Sequence, residues 1–136
     1  MRREGLAPNW LIDGMNVIGS RPDGWWRDRQ GAIRQLSTRL ALFAAMSPGE
    51  VRVVFDGPLP PRPPSPGEVE VVFAPGGRNA ADRRIVSFLR SESQPETWKV
   101  VTSDRELAHA CSSLGAPVMG AKEFREMLER EVPARG

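Results

Sequence analysis

Aspartates recur where the predicted β-strands end, and a carboxamide accompanies the first of them. Asp13 ends the apolar run "NWLID", and Asn16 follows three residues later. Asp56 follows the β-branched run "VRVVF", Asp82 lies in the first turn of a helix predicted after a third strand, and Asp104 follows a fourth strand in "VVTSD". If the strands are parallel, their carboxyl ends lie at one edge of the sheet, and the four carboxylates converge there.

Each of these aspartates, taken alone, also has a structural explanation. Asp82 and Asp104 suit the positive end of a helix dipole. Asp56 and the pair Asp13-Gly14 suit turns. Such positions accept serine, threonine or asparagine as well, yet all four residues are aspartate, which favours a shared chemical role.

A cluster of carboxylates restricts the chemistry of this edge. Two carboxylates about 4 Å apart repel each other by roughly 4 kcal/mol at an effective dielectric constant of about 20, so the cluster either binds a cation or holds a proton. His109 and Cys111 are the only histidine and cysteine of the chain. Oxygen ligands therefore favour Mg²⁺ or Mn²⁺ over zinc, and Asn16 could orient Asp13 or hold a metal-bound water without adding charge.

Several function classes lack the residues they need. One histidine excludes ribonuclease chemistry that uses two, and neither G-x-G-x-x-G nor G-x-x-x-x-G-K-[ST] occurs. "PGGRNAAD" precedes a predicted helix and could hold a phosphate, although it also reads as a plain turn. Hard cations on carboxylates most often assist phosphoryl transfer or hydrolysis.

The charge of the chain points weakly to an anionic partner. Its 136 residues carry a net charge of +2, with 17 arginines and two lysines, Lys99 and Lys122. A GC-rich genome explains most of the arginines, but their excess lies in the first two thirds of the chain. No segment approaches the roughly 20 apolar residues of a membrane span, so no membrane partner is expected.

Strands alternate with helices along the chain, which predicts an α/β fold with a mostly parallel sheet of about five strands and helices on both faces. Residues 14–26 are predicted as a loop, Asn79 as the N-cap of a helix over 80–91, and Ser103 with Glu106 as a capping box. The proline-rich "PLPPRPPSPG" is predicted as an extended connection, which leaves its two flanking strands either parallel or a hairpin. The remaining predictions are strands over 9–13, 51–55, 69–73, 98–101 and 116–119, and helices over about 27–45, 103–115 and 121–131.

Length and composition indicate one domain over residues 1–136, with its core at about 9–128. A single cysteine allows no intrachain disulfide, which fits a cytoplasmic location.

The run "VEVVF" reads as an edge strand that could pair with a second copy, so we expect a monomer or a weak homodimer.

The segments "LIDGMNVIG", "VVFDG", "VEVVFAPGGRNAADRRI" and "VVTSD", in this order, resemble the NYN-domain family, in its YacP-like bacterial branch. This family belongs to the PIN-like ribonuclease superfamily, and the resemblance covers about residues 9–128. It implies a three-layer α/β/α, Rossmann-like fold and an endoribonuclease that depends on Mg²⁺ or Mn²⁺. RNA is then the partner, free or associated with a ribosome.

The same resemblance carries roles to individual residues. Asp13, Asp82 and Asp104 match metal ligands of the family, and Asn16 matches a catalytic residue that supports them. Asp56 matches an "FDG" segment of the family and is a further candidate ligand. Arg83 and Arg84 stand where relatives commonly have a further acid, which either limits the site to one metal or supplies two arginines that face substrate phosphates.

Further residues are candidates for contacts with RNA. They are Thr102 and Ser103 at a phosphate or an outer-shell water, Arg78, Arg83 and Arg84 at phosphates, and Trp25 and Trp26 as base-stacking residues or as a hydrophobic lid. Two other functions stay open: a non-catalytic RNA-binding or partner-binding module on the same fold, and a small-molecule phosphatase or nucleotide-binding domain.

Overall fold

A computed structural model describes residues 7–132 of the chain, so the ends of the predicted 1–136 domain lie outside the described residues. Five strands form one sheet in the order β3-β2-β1-β4-β5, and every neighbouring pair is parallel. The strands are β1 (Asn9–Asp13), β2 (Val51–Asp56), β3 (Val69–Ala74), β4 (Trp98–Val101) and β5 (Val118–Met119). The helices are α1 (Gly14–Gly19), α2 (Arg29–Met46), α3 (Ala80–Ser91), α4 (Arg105–Ser113) and α5 (Ala121–Glu131), with 3₁₀ turns at Trp25–Asp28 and Pro95–Thr97.

Both faces of the sheet are covered by helices, which confirms the predicted three-layer α/β arrangement. On one face, α1, α2 and α5 pack around Trp10, Phe43 and Phe124. On the other face, α3 and α4 pack around Leu11 and Ile85. Trp10 and Leu11 are adjacent on β1 and enter opposite cores, because successive side chains of a strand point to opposite faces.

The proline-rich connection links two parallel strands without a helix between them. Val51 pairs with Val69 and Asp56 pairs with Ala74, so the hairpin alternative is wrong. The segment 57–68 has no regular secondary structure and returns the chain to the start of the sheet. The prediction that "VEVVF" forms an edge strand is confirmed, since β3 is the outermost strand on its side.

The order of the strands reverses beside β1. The chain moves outward from β1 to β2 and β3, then crosses back through α3 to β4, on the other side of β1. In open parallel sheets, ligands bind at the carboxyl ends of the strands where the order reverses. The carboxyl ends of β1 and β4, where Asp13 and Thr102 lie, therefore form the expected ligand site.

The segment after Asp13 differs from its prediction as a loop, because α1 begins directly at Gly14. Val17 and Ile18 are buried in the core, and this burial stabilises a helix of only six residues. A Cβ atom at Gly14 would clash with the ring of Phe55. The glycine is thus needed for close packing of α1 on β2 and does not serve a turn.

Replacing Gly14 with alanine should destabilise the protein by about 1–3 kcal/mol, the usual cost of overpacking a filled core. The measurement is urea unfolding followed by circular dichroism. Gly19→Ala is the matched control, because a Cβ atom there meets nothing within 4 Å. Equal stability of the two variants would contradict the packing role of Gly14.

Two predicted helix caps also differ. Asn79 precedes α3 in the left-handed conformation, with φ of 64°, and its side chain makes no capping hydrogen bond. Asp104, and not Ser103, is the N-cap of α4, and its Oδ1 accepts a hydrogen bond from the N–H of Leu107 at 3.0 Å. Among residues 7–132, no helix is both long and apolar enough to span a membrane.

Candidate active site at the carboxyl edge of the sheet

Asp13 occupies the centre of the carboxyl edge, at the end of the middle strand. Its side chain is 5% exposed, although it is a carboxylate. Its Oδ2 accepts a hydrogen bond from the hydroxyl of Thr102 at 2.9 Å. A buried carboxylate is costly unless it is paired or hydrogen-bonded, and the Thr102 hydroxyl and the backbone N–H of Asn16 offset only part of this cost.

Thr102 joins the ends of β1 and β4. It is 1% exposed, and its hydroxyl oxygen also accepts the N–H of Asp104 at 3.1 Å. The side chain therefore positions Asp13 and the start of α4 together. Contact with a substrate phosphate, one of the two roles predicted for Thr102, does not suit a buried hydroxyl with both partners inside the protein.

Asn16 links α1 to the loop after β4. Its Oδ1 accepts the N–H of Ser103 at 2.7 Å, and the hydroxyl oxygen of Ser103 accepts the N–H of Ala121 at 2.8 Å. The starts of α1, α4 and α5 are thus connected through two short polar side chains. With its oxygen held in this way, the amide of Asn16 keeps its N–H donors for another partner.

Two of the aspartates cap helices. Oδ1 of Asp56 accepts the N–H of Ala81 at 2.9 Å, so Asp56 caps α3 in place of Asn79. Asp104 caps α4 with one oxygen. In each carboxylate the second oxygen, Oδ2, has no hydrogen-bond partner among residues 7–132. Asp82, on the first turn of α3, is half-buried and accepts no hydrogen bond from residues 7–132.

Burial and neighbouring negative charges raise the pKa of two of the acids, Asp13 and Asp82. Burial is the main cause that raises the pKa of Asp13 from its usual 3.8 to about 6; the Thr102 hydroxyl opposes this, and the charges of Asp82 and Asp56 add to it. Burial also raises the pKa of Asp82, followed by the charges of Asp104 and Asp56. The charges of Asp56 and Asp82 therefore act on Asp13, and those of Asp56 and Asp104 act on Asp82.

The raised pKa of Asp13 implies that stability depends on pH. The folded protein holds a proton on Asp13 up to about pH 6, whereas the unfolded chain loses it near 3.8. Stability from this group is therefore complete below pH 3.8 and falls as the pH rises through 6, by a total of about 3 kcal/mol. Urea unfolding in EDTA between pH 4 and 7 measures this, and Asp13→Asn should make the decline smaller, with Asp82 as the source of what is left. An equal decline in the variant would show that another group causes it.

The available ligand atoms are of the type that hard divalent cations prefer. All the available ligands are oxygens, and a cation would offset the repulsion that raises the pKa of Asp13 and Asp82. Within residues 7–132, however, no three His, Cys, Asp or Glu side chains stand close enough together to form a ready-made metal site. Sharing of one ion by Asp13, Asp82 and Asp104 therefore stays a prediction.

The predicted arginines have different surroundings. Arg83 donates to the backbone carbonyls of Arg78 at 3.1 Å and Gly76 at 3.2 Å, so it braces the loop before α3. The side chains of Arg78 and Arg84 are exposed, and Arg84 lines a shallow cavity beside Ala74. Arg78 and Arg84 remain available for phosphate, whereas the guanidinium of Arg83 is already engaged.

Trp25 and Trp26 each fit one of the two roles predicted for the pair. Trp25 is half-buried and packs against the core on the α1–α2 face, as a lid would. Trp26 is 59% exposed, and its ring meets that of Trp25 edge-on at 6.0 Å. Only Trp26 presents a ring to solvent for stacking.

Sequence reasoning missed two cations near this edge. Arg29, on the first turn of α2, donates a hydrogen bond to the backbone carbonyl of Asp56. Lys122 lines a cavity together with Asn16 and Ser103. Nothing in the sequence links Arg29 to Asp56, but a lysine directly after the last strand and Gly120 could have been recognised as a residue of the carboxyl edge.

A parallel sheet with acidic residues at the edge where its strand order reverses is typical of the PIN-like ribonucleases. The chain belongs to the YacP-like NYN domain family, because the model of that family matches residues 10–134. The search of curated proteins gave no match.

Solved structures support the same assignment. The chain is similar to Rae1 (YacP) from Bacillus subtilis, with 27% identity and a TM-score of 0.72 over 90% of this chain and 76% of that one. A tryptophan-to-leucine mutant of the same protein gives 26% identity and a TM-score of 0.72, over 91% and 78% of the two chains. The predicted family and fold are thereby confirmed.

Proposed function

We propose that the protein is an endoribonuclease that depends on Mg²⁺ or Mn²⁺. The observation that carries this proposal is Asp13, a buried carboxylate with a raised pKa at the point where the strand order reverses. Acids with such a pKa gather at functional sites more often than elsewhere. Membership of a family with the PIN-like ribonuclease fold supplies the substrate class, RNA.

In this proposal Asp13, Asp82 and Asp104 hold the cation through carboxylate oxygens. When bound, a divalent cation lowers the pKa of water and offsets charge on the scissile phosphate. Thr102 fixes the orientation of Asp13, and Asn16 offers its amide N–H donors to an oxygen of the substrate. Water is the nucleophile, so the products carry 5′-phosphate and 3′-hydroxyl ends.

A binding module on the same fold is the second candidate, because two of the acids already have structural roles. Asp56 and Asp104 cap α3 and α4, and no ready-made metal site is present within residues 7–132. In that case the edge binds RNA or a partner and cleaves nothing. The two candidates differ in turnover and in the need for a cation.

The test is incubation of the full chain with end-labelled RNA in Mg²⁺, in Mn²⁺ and in EDTA, with the product ends determined. Cleavage that needs the cation and leaves 5′-phosphate ends supports the nuclease. Products with 2′,3′-cyclic phosphate, or cleavage that survives EDTA, would contradict it. A parallel assay on the same RNA bound to ribosomes shows whether a ribosome presents the substrate.

A further inference from the structure

Two cavities flank the carboxyl edge on opposite faces of the sheet. The first, which we term the α3–α4 cavity, has a volume of about 520 Å³ and is lined by Asp82, Val86, Glu106, Leu107 and Ala110 among others. Helices α3 and α4 cover one face of the sheet, whereas α1 and α5 cover the other. Since Asp82 belongs to both the edge and this cavity, a molecule bound at the edge can extend into it.

The second, the Lys122 cavity, lies between α1 and α5 and has a volume of about 390 Å³. Its lining includes Met15, Asn16, Gly19, Ser103 and Lys122. Asn16 belongs to both the edge and this cavity, as Asp82 does on the opposite face. The edge that holds Asp13 therefore lies between two open spaces, each of which shares one polar side chain with it.

The two cavities differ in charge. The α3–α4 cavity is lined by two acids, Asp82 and Glu106, and by two arginines, of which Arg83 donates its hydrogen bonds to backbone carbonyls of the loop before α3. Arg90, the other lining arginine, is exposed in the last turn of α3. Of the described residues that line the Lys122 cavity, none is acidic and Lys122 is the one with a charge.

This difference matches the two parts of a nucleotide. The Glu106 carboxylate can accept the N–H groups of a base edge, and apolar side chains such as Val86 and Ala110 can pack on a base. A lysine ammonium binds phosphate as a point charge. The α3–α4 cavity therefore suits a base, and the Lys122 cavity suits a phosphate.

We propose that the RNA strand crosses the carboxyl edge with a base in the α3–α4 cavity and a neighbouring phosphate at Lys122 and Asn16. Lys122 is then a substrate-binding residue, and Val86, Leu107 and Ala110 form a base subsite. This inference rests on the proposed function, because RNA is the ligand in both. It adds the two subsites and their different chemistry.

Binding of fluorescein-labelled single-stranded RNA to the Asp13→Asn protein, measured by anisotropy at several salt concentrations, tests both subsites. Lys122→Ala should weaken binding and lower the slope of log affinity against log salt by about 0.7, the value for one phosphate contact on a single strand. Arg130→Ala is the control, since it removes a positive charge from the same helix about 12 Å further along its axis. Lys122→Gln repeats the test if the alanine variant unfolds.

Ala110→Phe should fill part of the α3–α4 cavity and weaken binding severalfold without changing the salt slope, because no phosphate contact is lost. His109→Phe is the matched control, since His109 is exposed on α4 and does not line the cavity. Ala110→Leu is the smaller variant to use if phenylalanine disrupts the fold.

The outcomes separate this inference from the proposed function. A lower slope for Lys122→Ala, with an unchanged slope and weaker binding for Ala110→Phe, supports the subsites. A slope unchanged by Lys122→Ala, or Ala110→Phe binding as His109→Phe does, overturns them even if RNA is cleaved. If both binding results are as expected but the unmodified protein cleaves no RNA in Mg²⁺ or Mn²⁺, the subsites are supported and the proposed nuclease activity is overturned. Absence of RNA binding overturns both.

Discussion

Replacing Asp13 with asparagine should abolish RNA cleavage while RNA binding is retained. The variant keeps the shape of the side chain and an oxygen that can accept the Thr102 hydroxyl, but it removes the central charge of the carboxyl edge. Stabilisation of a transition state by a cation amounts to several kcal/mol, and about 1.4 kcal/mol is a tenfold change in rate. We therefore expect a loss of cleavage on the order of 1,000-fold.

Two comparisons make the Asp13→Asn result specific. Asp23→Asn is the matched control, because Asp23 is exposed in the loop after α1 and its loss should leave the rate unchanged. Urea unfolding at pH 7 without metal should show that Asp13→Asn is at least as stable as the unmodified protein, since a buried charge with a raised pKa is removed. An Asp13→Asn variant that cleaves RNA as fast as the unmodified protein would contradict the catalytic role of Asp13, whereas absence of cleavage by the unmodified protein as well would favour the binding module.

Replacing Thr102 with valine should lower the rate of cleavage by about 10-fold to 100-fold, the usual effect of removing a residue that orients a metal ligand. The buried hydroxyl holds Asp13 at 2.9 Å and the N–H of Asp104 at 3.1 Å. It also lowers the pKa of Asp13, so its loss should raise that pKa further. The pH at which cleavage reaches half its maximum should therefore move to higher values.

The shift in pH distinguishes positioning of Asp13 from general damage. Thr102→Ser keeps a hydroxyl and should restore both the rate and the pH profile. Thr97→Val is the control, because Thr97 donates a similar hydrogen bond, to the carbonyl of Gln94 at 2.8 Å, before β4 begins. A slower Thr102→Val protein with an unchanged pH profile would contradict the link between Thr102 and the charge on Asp13.

The position of the acids at one edge of the sheet could be predicted because it depends on a simple property of parallel sheets. Asp13, Asp56 and Asp104 each follow a recognisable apolar strand, and strands that run the same way end at the same edge. The predicted strands begin and end within about two residues of the observed ones, since β-branched runs bounded by turn residues are strong signals. Family membership could be predicted for the same reason, as its motifs are these strand ends.

The individual role of each acid depends on contacts between distant segments, which the sequence does not encode locally. Asp56 caps α3 across 25 residues and so replaces Asn79, whose backbone is left-handed. Ser103 looks like a cap in "TSDRE", but its hydroxyl binds the start of α5 while Asp104 caps α4. Local spacing cannot choose between two neighbouring capping residues when a third segment takes one of them.

The short helix α1 was missed for a related reason. Six residues with glycine at both ends have little helix propensity, and an isolated helix of this length is unstable in water. Its stability comes from Val17 and Ile18 in the core and from the close approach of Gly14 to Phe55. Such packing becomes visible only when the strand register is known.

The central claim is that Asp13 and the acids on the neighbouring elements bind one divalent cation, and a crystal soaked in Mn²⁺ tests it most directly. The account predicts an anomalous scattering peak in contact with carboxylate oxygens of Asp13 and of Asp82 or Asp104, and its loss in a crystal of Asp13→Asn. Cleavage of RNA in Mn²⁺ by a protein whose soaked crystals show no such peak, or a peak held elsewhere, would contradict it.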